Sequence, residues 1–402
     1  MLYVGIDWAD TQHRVSIIDS QGVEKANFTI PHTREGLEHL KEKLIKLAQN
    51  PQSIACIIET KHGLLIQFLL EAGFAVYPVN PKVVDRRRKP SGAKSDPLDA
   101  RILAELGRTD INLLRQLKPD SELIQELKVL TRDQDTLIRE STRLTNRLIS
   151  CLKEYFPVAL ELFSKPTLPV TLDFLKQYPT LESAQIASVP ELAAFLKSHK
   201  HPKPNQTASE IYQKLHSPQL KANPVVTRTK ARLMLAILSQ LEPLLEQIKE
   251  YDKEIERLFK LHSDSKFFAS LPGAGLRLAP RLLAEWGDDR ERFLNASVVQ
   301  ALAGTSPVLY QSGKYCFAKQ RKSCVKPFRN VLHQFAYQTV MWVGWSREYY
   351  DKKRSEGKSH HEAIRALANI WVRIIFAMWK SYQPYDESIF LSAKAKHSLA
   401  AA

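Results

Sequence analysis

The sequence has few of the features that mark secreted, membrane-spanning or zinc-binding proteins. It has only four cysteines in 402 residues, and they form neither a CxxC pair nor a zinc-finger spacing. No apolar run reaches the length of a membrane span, and no signal peptide precedes the first predicted strand. We therefore expect a reduced, cytoplasmic protein without structural zinc.

Acidic residues are also in short supply. The chain has 43 Asp and Glu against 58 Lys and Arg, which gives a net charge of +15. Such an excess favours a polyanionic partner. Because hydrophobic residues make up an ordinary 44% of the chain, we expect a folded protein of two or three domains to bind that partner.

Four of these scarce acids stand out because of their positions. Asp7 closes the strand-like run LYVGID, Glu59 closes SIACIIE, and Asp96 and Asp99 open a predicted helix. A spacing of three residues places Asp96 and Asp99 on one helical face. Carboxylates that converge in this way hold Mg²⁺ or Mn²⁺, and such clusters cut or join phosphodiesters.

Each acid also has a structural explanation when it is taken alone. Asp7 and Glu59 end strands and would then only face water. Asp96 would be a helix N-cap, with Pro97 at the first helical position and Asp99 near the positive end of the helix dipole. The set of four in this strand order favours a metal site, and capping is compatible with it.

The first 110 residues predict a mixed α/β domain. Three hairpin-type strands are followed by alternating helices and strands, which is the order of the ribonuclease H-like fold. The predicted strands are 2–8, 13–19, 23–30, 53–59 and 74–79, and the predicted helices are 34–48 and 63–72.

Basic residues follow the last of these strands. The segment 81–95 is rich in Lys, Arg, Pro, Ser and Gly, and therefore predicts an exposed loop. A charge run is usually only a solvated surface, but beside a metal site phosphate binding is the better interpretation. The candidate phosphate-binding residues are Arg86, Arg87, Arg88, Lys89 and Lys94.

The rest of the chain is predicted to be mainly helical. Long amphipathic helices at 120–156 and 228–262 either pack in the core or form a coiled-coil arm for self-association. A PGAG turn with Gly273 and Gly275 allows backbone N–H groups to approach a phosphate at a helix N-terminus. The segment 301–329 mixes small residues, hydroxyls and bases.

Taken together, GIDWAD, IIET, KSDPLDA, FASLPGAG and AGTSPVLYQSGK resemble the DEDD-type insertion-sequence transposases related to the Piv DNA invertases. The N-terminal domain of that family resembles the Holliday-junction resolvase RuvC. The resemblance implies a RuvC-like catalytic domain at 1–110, a helical or coiled-coil region at 111–264, a serine-bearing transposase domain at 265–392 and a disordered tail at 393–402.

The resemblance also implies roles for individual residues. Asp7, Glu59, Asp96 and Asp99 would hold Mg²⁺ or Mn²⁺, and Ser312 would attack the DNA backbone to form a covalent phosphoserine link. Ser306 is the alternative nucleophile. Bases near the serine would stabilise the charge on the scissile phosphate: Lys314, Lys319, Arg321 and Lys322.

The same resemblance implies the partners. They are target and donor DNA, a noncoding bridge RNA that pairs with both, and further copies of the chain, since the family forms dimers that pair into a tetramer. The acids of one subunit would complete the serine site of another. We expect a prokaryotic, nucleoid-associated protein without a membrane partner.

Two other functions remain open from the sequence alone. A RuvC-like structure-specific nuclease would use the same four acids to activate water and would leave Ser312 without a role. A non-catalytic RNA- or DNA-binding protein with a decayed nuclease domain would need none of them, although all four acids are intact.

Overall fold

The computed structural model describes residues 1–48, 50–61, 63–88 and 94–392. The chain divides into two compact units, Met1–Pro119 and Asp120–Ala402. Lys89, predicted to bind nucleic acid, and the tail 393–402, predicted to be disordered, lie outside the described residues.

The first unit contains a five-stranded sheet that follows the predicted strands closely. The strand order is β3-β2-β1-β4-β5. The first three strands pair antiparallel, while β4 is parallel to β1 and β5 is parallel to β4. This confirms a mixed sheet. The strands are β1 (Leu2–Asp7), β2 (Gln12–Ile18), β3 (Glu24–Pro31), β4 (Ile54–Ile58) and β5 (Ala75–Pro78).

Helices cover both faces of this sheet. The first pair, α1 (Arg34–Leu47) and α2 (Leu64–Glu71), packs on one face against residues such as Val4. The second pair, α3 (Pro81–Arg88) and α4 (Asp96–Asp110), packs on the other face against residues such as Tyr3. Alternate side chains of β1 therefore enter two separate hydrophobic cores.

Our prediction of an exposed loop was wrong for α3. The Asn80 side chain accepts a hydrogen bond of 3.0 Å from the Lys82 backbone N–H, and Pro81 is compatible with a first helical turn. Val84 is fully buried against the second core. The cap at Asn80 and the burial of Val84 thus stabilise a helix in a segment whose run of arginines had suggested a loop.

Gly5 lets α4 lie directly on β1. A Cβ atom at this position would come within 1.9 Å of the Ala100 carbonyl oxygen and 2.4 Å of the Ala104 backbone nitrogen. No side chain larger than hydrogen fits there without displacing the helix. The absence of a side chain at Gly5 therefore fixes the distance between strand and helix.

The second unit is mainly helical, as predicted, and begins with a long helix. No helix in the described part of the chain is both long and apolar enough to cross a membrane. The helices are α5 (Glu122–Tyr155), α6 (Pro169–Gln177), α7 (Leu181–Gln185), α8 (Val189–Ser198), α9 (Pro204–His216), α10 (Pro224–Leu261), α11 (Ser265–Ala269), α12 (Gly275–Trp286), α13 (Ala296–Leu302), α14 (Lys326–Trp342), α15 (Gly344–Ser355) and α16 (His360–Ser381).

The two long helices, α5 and α10, pack against each other within the chain. Near one end, Leu127 and Leu258 belong to a core shared with α12, α14 and α16. Near the other end, Leu148 and Leu238 belong to a second core shared with α6–α9. Core packing therefore uses much of their apolar stripes. Self-association through a coiled coil stays a prediction.

A two-stranded hairpin interrupts the helices of the second unit. Its strands, β6 (Val308–Ser312) and β7 (Tyr315–Lys319), are antiparallel. The turn between them has two residues, and Gly313 adopts a positive φ of 57° there. We did not predict this hairpin from the sequence. It carries the predicted nucleophile, Ser312.

Candidate active site

Asp7 and Glu59 lie side by side at one edge of the sheet. The parallel strands β1 and β4 pair Ile6 with Ile58, so the next residue of each strand is one of the two acids. The Glu59 Oε1 atom is buried and has no hydrogen-bond partner among the described residues. A buried carboxylate oxygen without a partner is unfavourable unless a cation or proton binds it.

The close contact between α4 and β1 brings the other two acids to this edge. Asp99 lies in the first turn of α4 and is buried, whereas Asp96 is exposed. We expected Asp96 to be the N-cap residue, but the structure places the extended Ser95 there and makes Asp96 the first residue of the helix. Both acids still lie at the positive end of the helix.

The charges of the four acids act on one another. Burial raises the pKa of Asp7 to about 6, with further contributions from the negative charges of Asp99, Asp96 and Glu59, in that order. Burial also raises the pKa of Glu59, where the charge of Arg88 opposes it. Such raised pKa values are typical of carboxylates that share a site without a compensating cation.

Arg88 contacts this acidic cluster directly. Its Nε atom lies 2.5 Å from Asp99 Oδ1, because the last turn of α3 faces the first turn of α4. Its neighbour Arg87 pairs with Asp110. Two of the predicted phosphate-binding residues therefore already contact carboxylates of the chain, while Arg86 and Lys94 are exposed.

The four acids fit a divalent cation by their chemistry. They supply only oxygen ligands, one of which is buried without a partner, and Asp7 is held in a strongly negative surrounding. Within residues 1–48, 50–61, 63–88 and 94–392, however, no group of three or more His, Cys, Asp or Glu is arranged at ligand distances. The ion pair with Arg88 occupies one of the four carboxylates, Asp99.

Ser312 lies at the end of β6, directly before the hairpin turn, and is exposed. The alternative nucleophile, Ser306, is half-buried, and its neighbour Thr305 is buried with its hydroxyl 2.9 Å from Asn369 Oδ1. Of the two serines, Ser312 is the more accessible to a large substrate such as DNA. The four acids lie in the first compact unit and Ser312 lies in the second.

The face of the hairpin that carries Ser312 also carries aromatic rings, which sequence analysis missed. Ser312 pairs directly with Tyr315, and Tyr310 pairs directly with Phe317. Directly paired residues project from the same face of a sheet, and so do residues two apart along a strand. The pattern of alternating aromatics around Ser-Gly-Lys is the signal from which a hairpin could have been predicted.

The other candidate nucleic-acid residues lie in the second unit. Gly273 has a φ of 74° and lies close to the Trp342 side chain, whereas Gly275 has a φ of 55° and open space around it. Lys314, Lys319 and Lys322 are exposed, and Arg321 is half-buried.

The hairpin lies in a segment without acids. Residues 292–347 contain no Asp or Glu, so no carboxylate within the segment offsets its positive charge. Its basic residues are Arg292, Lys314, Lys319, Arg321, Lys322, Lys326, Arg329 and Arg347.

Family models of transposases match both the segment that contains the four acids and the segment that contains Ser312. Residues 4–157, which include all four acids, match the DEDD transposase model of IS110. Residues 265–351, which include Ser312, match the transposase model of the IS116/IS110/IS902 family.

Individual relatives match over nearly the whole chain. The IS117 mini-circle protein of Streptomyces coelicolor, a putative transposase, is 31% identical over 398 residues, which cover 96% of this chain and 95% of the relative. The 44.8 kDa protein of insertion element IS116 from Streptomyces clavuligerus is 27% identical, with 98% and 96% covered. Because both the family models and a full-length relative agree, the chain belongs to the IS110/IS116 family of insertion-sequence transposases.

Proposed function

We propose that this transposase cuts and rejoins DNA through a covalent bond between Ser312 and a phosphodiester, assisted by a divalent metal at the four acids. The observation that carries this proposal is the convergence of Asp99, Asp96 and Glu59 on Asp7, whose charges add to the effect of burial in raising the pKa of Asp7 to about 6. Four mutually repelling carboxylates at a sheet edge are stable together only when positive charge or protons are added.

The residues that would hold the metal, Mg²⁺ or Mn²⁺, are Asp7, Glu59, Asp96 and Asp99. When bound, such an ion lowers the pKa of a nearby hydroxyl and neutralises charge on a phosphate. The partnerless Glu59 Oε1 and the buried Asp99 supply negative oxygen atoms for it. Arg88, which now contacts Asp99, would release that carboxylate.

Ser312 would supply the oxygen that attacks the DNA. Its Oγ forms a bond to phosphorus while the bond from phosphorus to the departing DNA oxygen breaks, and that oxygen takes up a proton. Attack by another DNA hydroxyl then reverses the process, so the energy of the phosphodiester is kept and no ATP is needed. Lys314, exposed in the turn directly after the serine, and Lys319, exposed on the same hairpin, would stabilise the negative charge on the phosphate.

We further propose that the first unit has a ribonuclease H-like, RuvC-like fold. The sheet order β3-β2-β1-β4-β5, with three antiparallel strands followed by two parallel ones, supports this proposal. In such a fold, an acid of the first strand and acids of later elements meet over the sheet. The positions of Asp7 at the end of β1 and of Glu59 directly after β4 support this proposal.

The proposed partners are target and donor DNA, a bridge RNA that pairs with both, and further copies of the chain that assemble as dimers into a tetramer. A net charge of +15 and the acid-free segment 292–347 support polyanionic partners. Because the acids and Ser312 belong to different compact units, assembly of subunits could control when they meet. In the cell we expect the protein at the nucleoid.

A covalent adduct tests the nucleophile. Purified protein is incubated with Mg²⁺ and labelled DNA that carries the ends of its own insertion sequence, and then denatured. We expect label on the wild-type protein and on Ser306→Ala, but none on Ser312→Ala, whose nucleic-acid binding should be unchanged. Cut DNA without any adduct would instead favour a RuvC-like nuclease that uses water.

The RNA partner has a separate test. RNA that copurifies with the protein from its host is extracted and sequenced. One discrete, structured species would support guided recombination, and bulk RNA without a dominant species would contradict it.

A further inference from the structure

The hairpin β6–β7 exposes three aromatic side chains to water. Tyr310 and Phe317 are each 49% exposed, and Tyr315 is 80% exposed. An isolated pair of strands is at best marginally stable in water. Large rings on such an element therefore indicate a binding surface and not a core.

The rings are already arranged as a stack. Tyr310 and Phe317 lie parallel to within 8°, with centroids 5.5 Å apart. The Lys319 Nζ atom lies 5.1 Å from each centroid, which is a cation–π distance. Exposed aromatic rings next to a lysine match both parts of a nucleotide, its base and its phosphate.

From this geometry we propose that the Ser312 face of the hairpin is a stacking platform for unpaired bases of the DNA strand that is cut. The platform consists of Tyr310, Tyr315, Phe317 and Lys319, which share the face with Ser312 through their strand pairing. The inference rests on the proposed function, since it places the stacked bases beside the scissile phosphate.

The charge of the surroundings favours nucleic acid over a second protein surface. The hairpin lies within residues 308–329, which contain six Lys and Arg and no acid. A second copy of the same face would bring like charges together, whereas a DNA strand supplies phosphates. Stacking on rings needs unpaired bases, because duplex bases already stack on one another.

Binding to single-stranded DNA tests the platform without any catalysis. The probe is a fluorescein-labelled mixed-sequence oligodeoxynucleotide, titrated with full-length protein as a single strand and as a duplex. We expect Phe317→Ile, which keeps an apolar β-branched side chain, to weaken single-strand binding by about tenfold. Duplex binding should change little.

The opposite face supplies the matched control. Leu309 is 70% exposed and projects away from the rings. We expect Leu309→Ala to bind both probes as the wild type does. Equal losses on single strand and duplex with Phe317→Ile, or no loss at all, would overturn the proposal.

A fluorescent adenine analogue in the strand distinguishes stacking from simple proximity. Its emission should be quenched on binding to wild type and to Ser312→Ala, but not to Phe317→Ile. Unquenched emission with the wild type would overturn the platform even if Ser312 forms its adduct. Quenching without an adduct would support the platform but contradict the proposed role of Ser312 as nucleophile. A change in molar mass in light scattering caused by Phe317→Ile in DNA-free protein would assign the face to a second copy instead.

Discussion

The surroundings of Asp7 strongly disfavour its negative charge. Burial and three neighbouring carboxylates raise its pKa to about 6, so Asp7→Asn removes repulsion while keeping the size of the side chain. We expect the metal-free variant to melt at a higher temperature than the wild type. Mg²⁺ should stabilise the wild type and have little effect on the variant.

Asp10 is a suitable control because it is an exposed acid in the same unit. Asp10→Asn should respond to Mg²⁺ as the wild type does in thermal unfolding. Equal stabilisation of Asp7→Asn and the wild type would mean that Asp7 does not take part in a metal site.

Burial of His13 predicts that the free energy of unfolding of the protein decreases in acid. This histidine is fully buried with its Nε2 atom 2.8 Å from His32 Nδ1, and burial, with a smaller contribution from His32, lowers the pKa of His13 to about 4. The unfolded chain takes up the proton near pH 6.5 and the folded chain only near pH 4. The free energy of unfolding therefore falls as the pH falls through this window, by no more than about 3 kcal/mol.

Urea unfolding at pH 7 and pH 5 measures this effect. His13→Leu should show a smaller difference in unfolding free energy between the two pH values than the wild type. A difference as large as that of the wild type would assign the pH dependence to other groups.

At the scale of elements, the contact between β1 and α4 predicts strong sensitivity at Gly5. A Cβ there would overlap the Ala100 carbonyl, so Gly5→Ala must push α4 away from the sheet. We expect a loss of about 3 kcal/mol or more in unfolding free energy, together with weaker Mg²⁺ stabilisation, because Asp99 moves with the helix.

Gly344 offers the matching substitution. It opens α15, and a Cβ atom added to it would meet nothing within 4 Å. Gly344→Ala should therefore leave chemical unfolding and the Mg²⁺ response unchanged. If Gly5→Ala behaved in the same way, α4 would not be held to β1 by direct backbone contact.

Some elements could be predicted because burial leaves a pattern in the sequence. The strand IACII is buried along its whole length, and its apolar run was sufficient to identify it. The hairpin β6–β7 carries no such pattern, because nearly all of its side chains are exposed and neither face is distinguished by burial. The alternating aromatic residues and the Ser-Gly-Lys turn were the remaining signal for the hairpin.

The candidate site could also be predicted only in part from the sequence. The grouping of the four acids follows from strand ends and helical spacing, which are local features, while their roles stay predictions. The ion pair between Arg88 and Asp99 depends on α3 being a helix that ends opposite α4. A long-range pairing of this kind leaves no trace in either segment.

At the scale of the whole molecule, the division at residue 119 predicts two unfolding transitions. Each compact unit has its own hydrophobic cores, and compact units that have no core in common unfold separately. We expect calorimetry of the full chain to resolve two transitions. Mg²⁺ should raise the temperature of only one of them, since all four acids lie in the first unit.

Calorimetry of a fragment that contains only the first unit shows which transition belongs to that unit. Residues 1–119 alone should reproduce the Mg²⁺-sensitive transition, and Asp10→Asn in the full chain should preserve both. A single transition that Mg²⁺ shifts as a whole would contradict independent units.

The alternation of side chains along the hairpin also provides a chemical handle. Cys316 is a free, exposed thiol on the face opposite Ser312, whereas Cys56 and Cys151 are buried. A maleimide dye attached there would lie on the other side of the hairpin from the hydroxyl of Ser312, the proposed nucleophile, without blocking it. The dye would report, in real time, when a strand of DNA arrives and when it leaves.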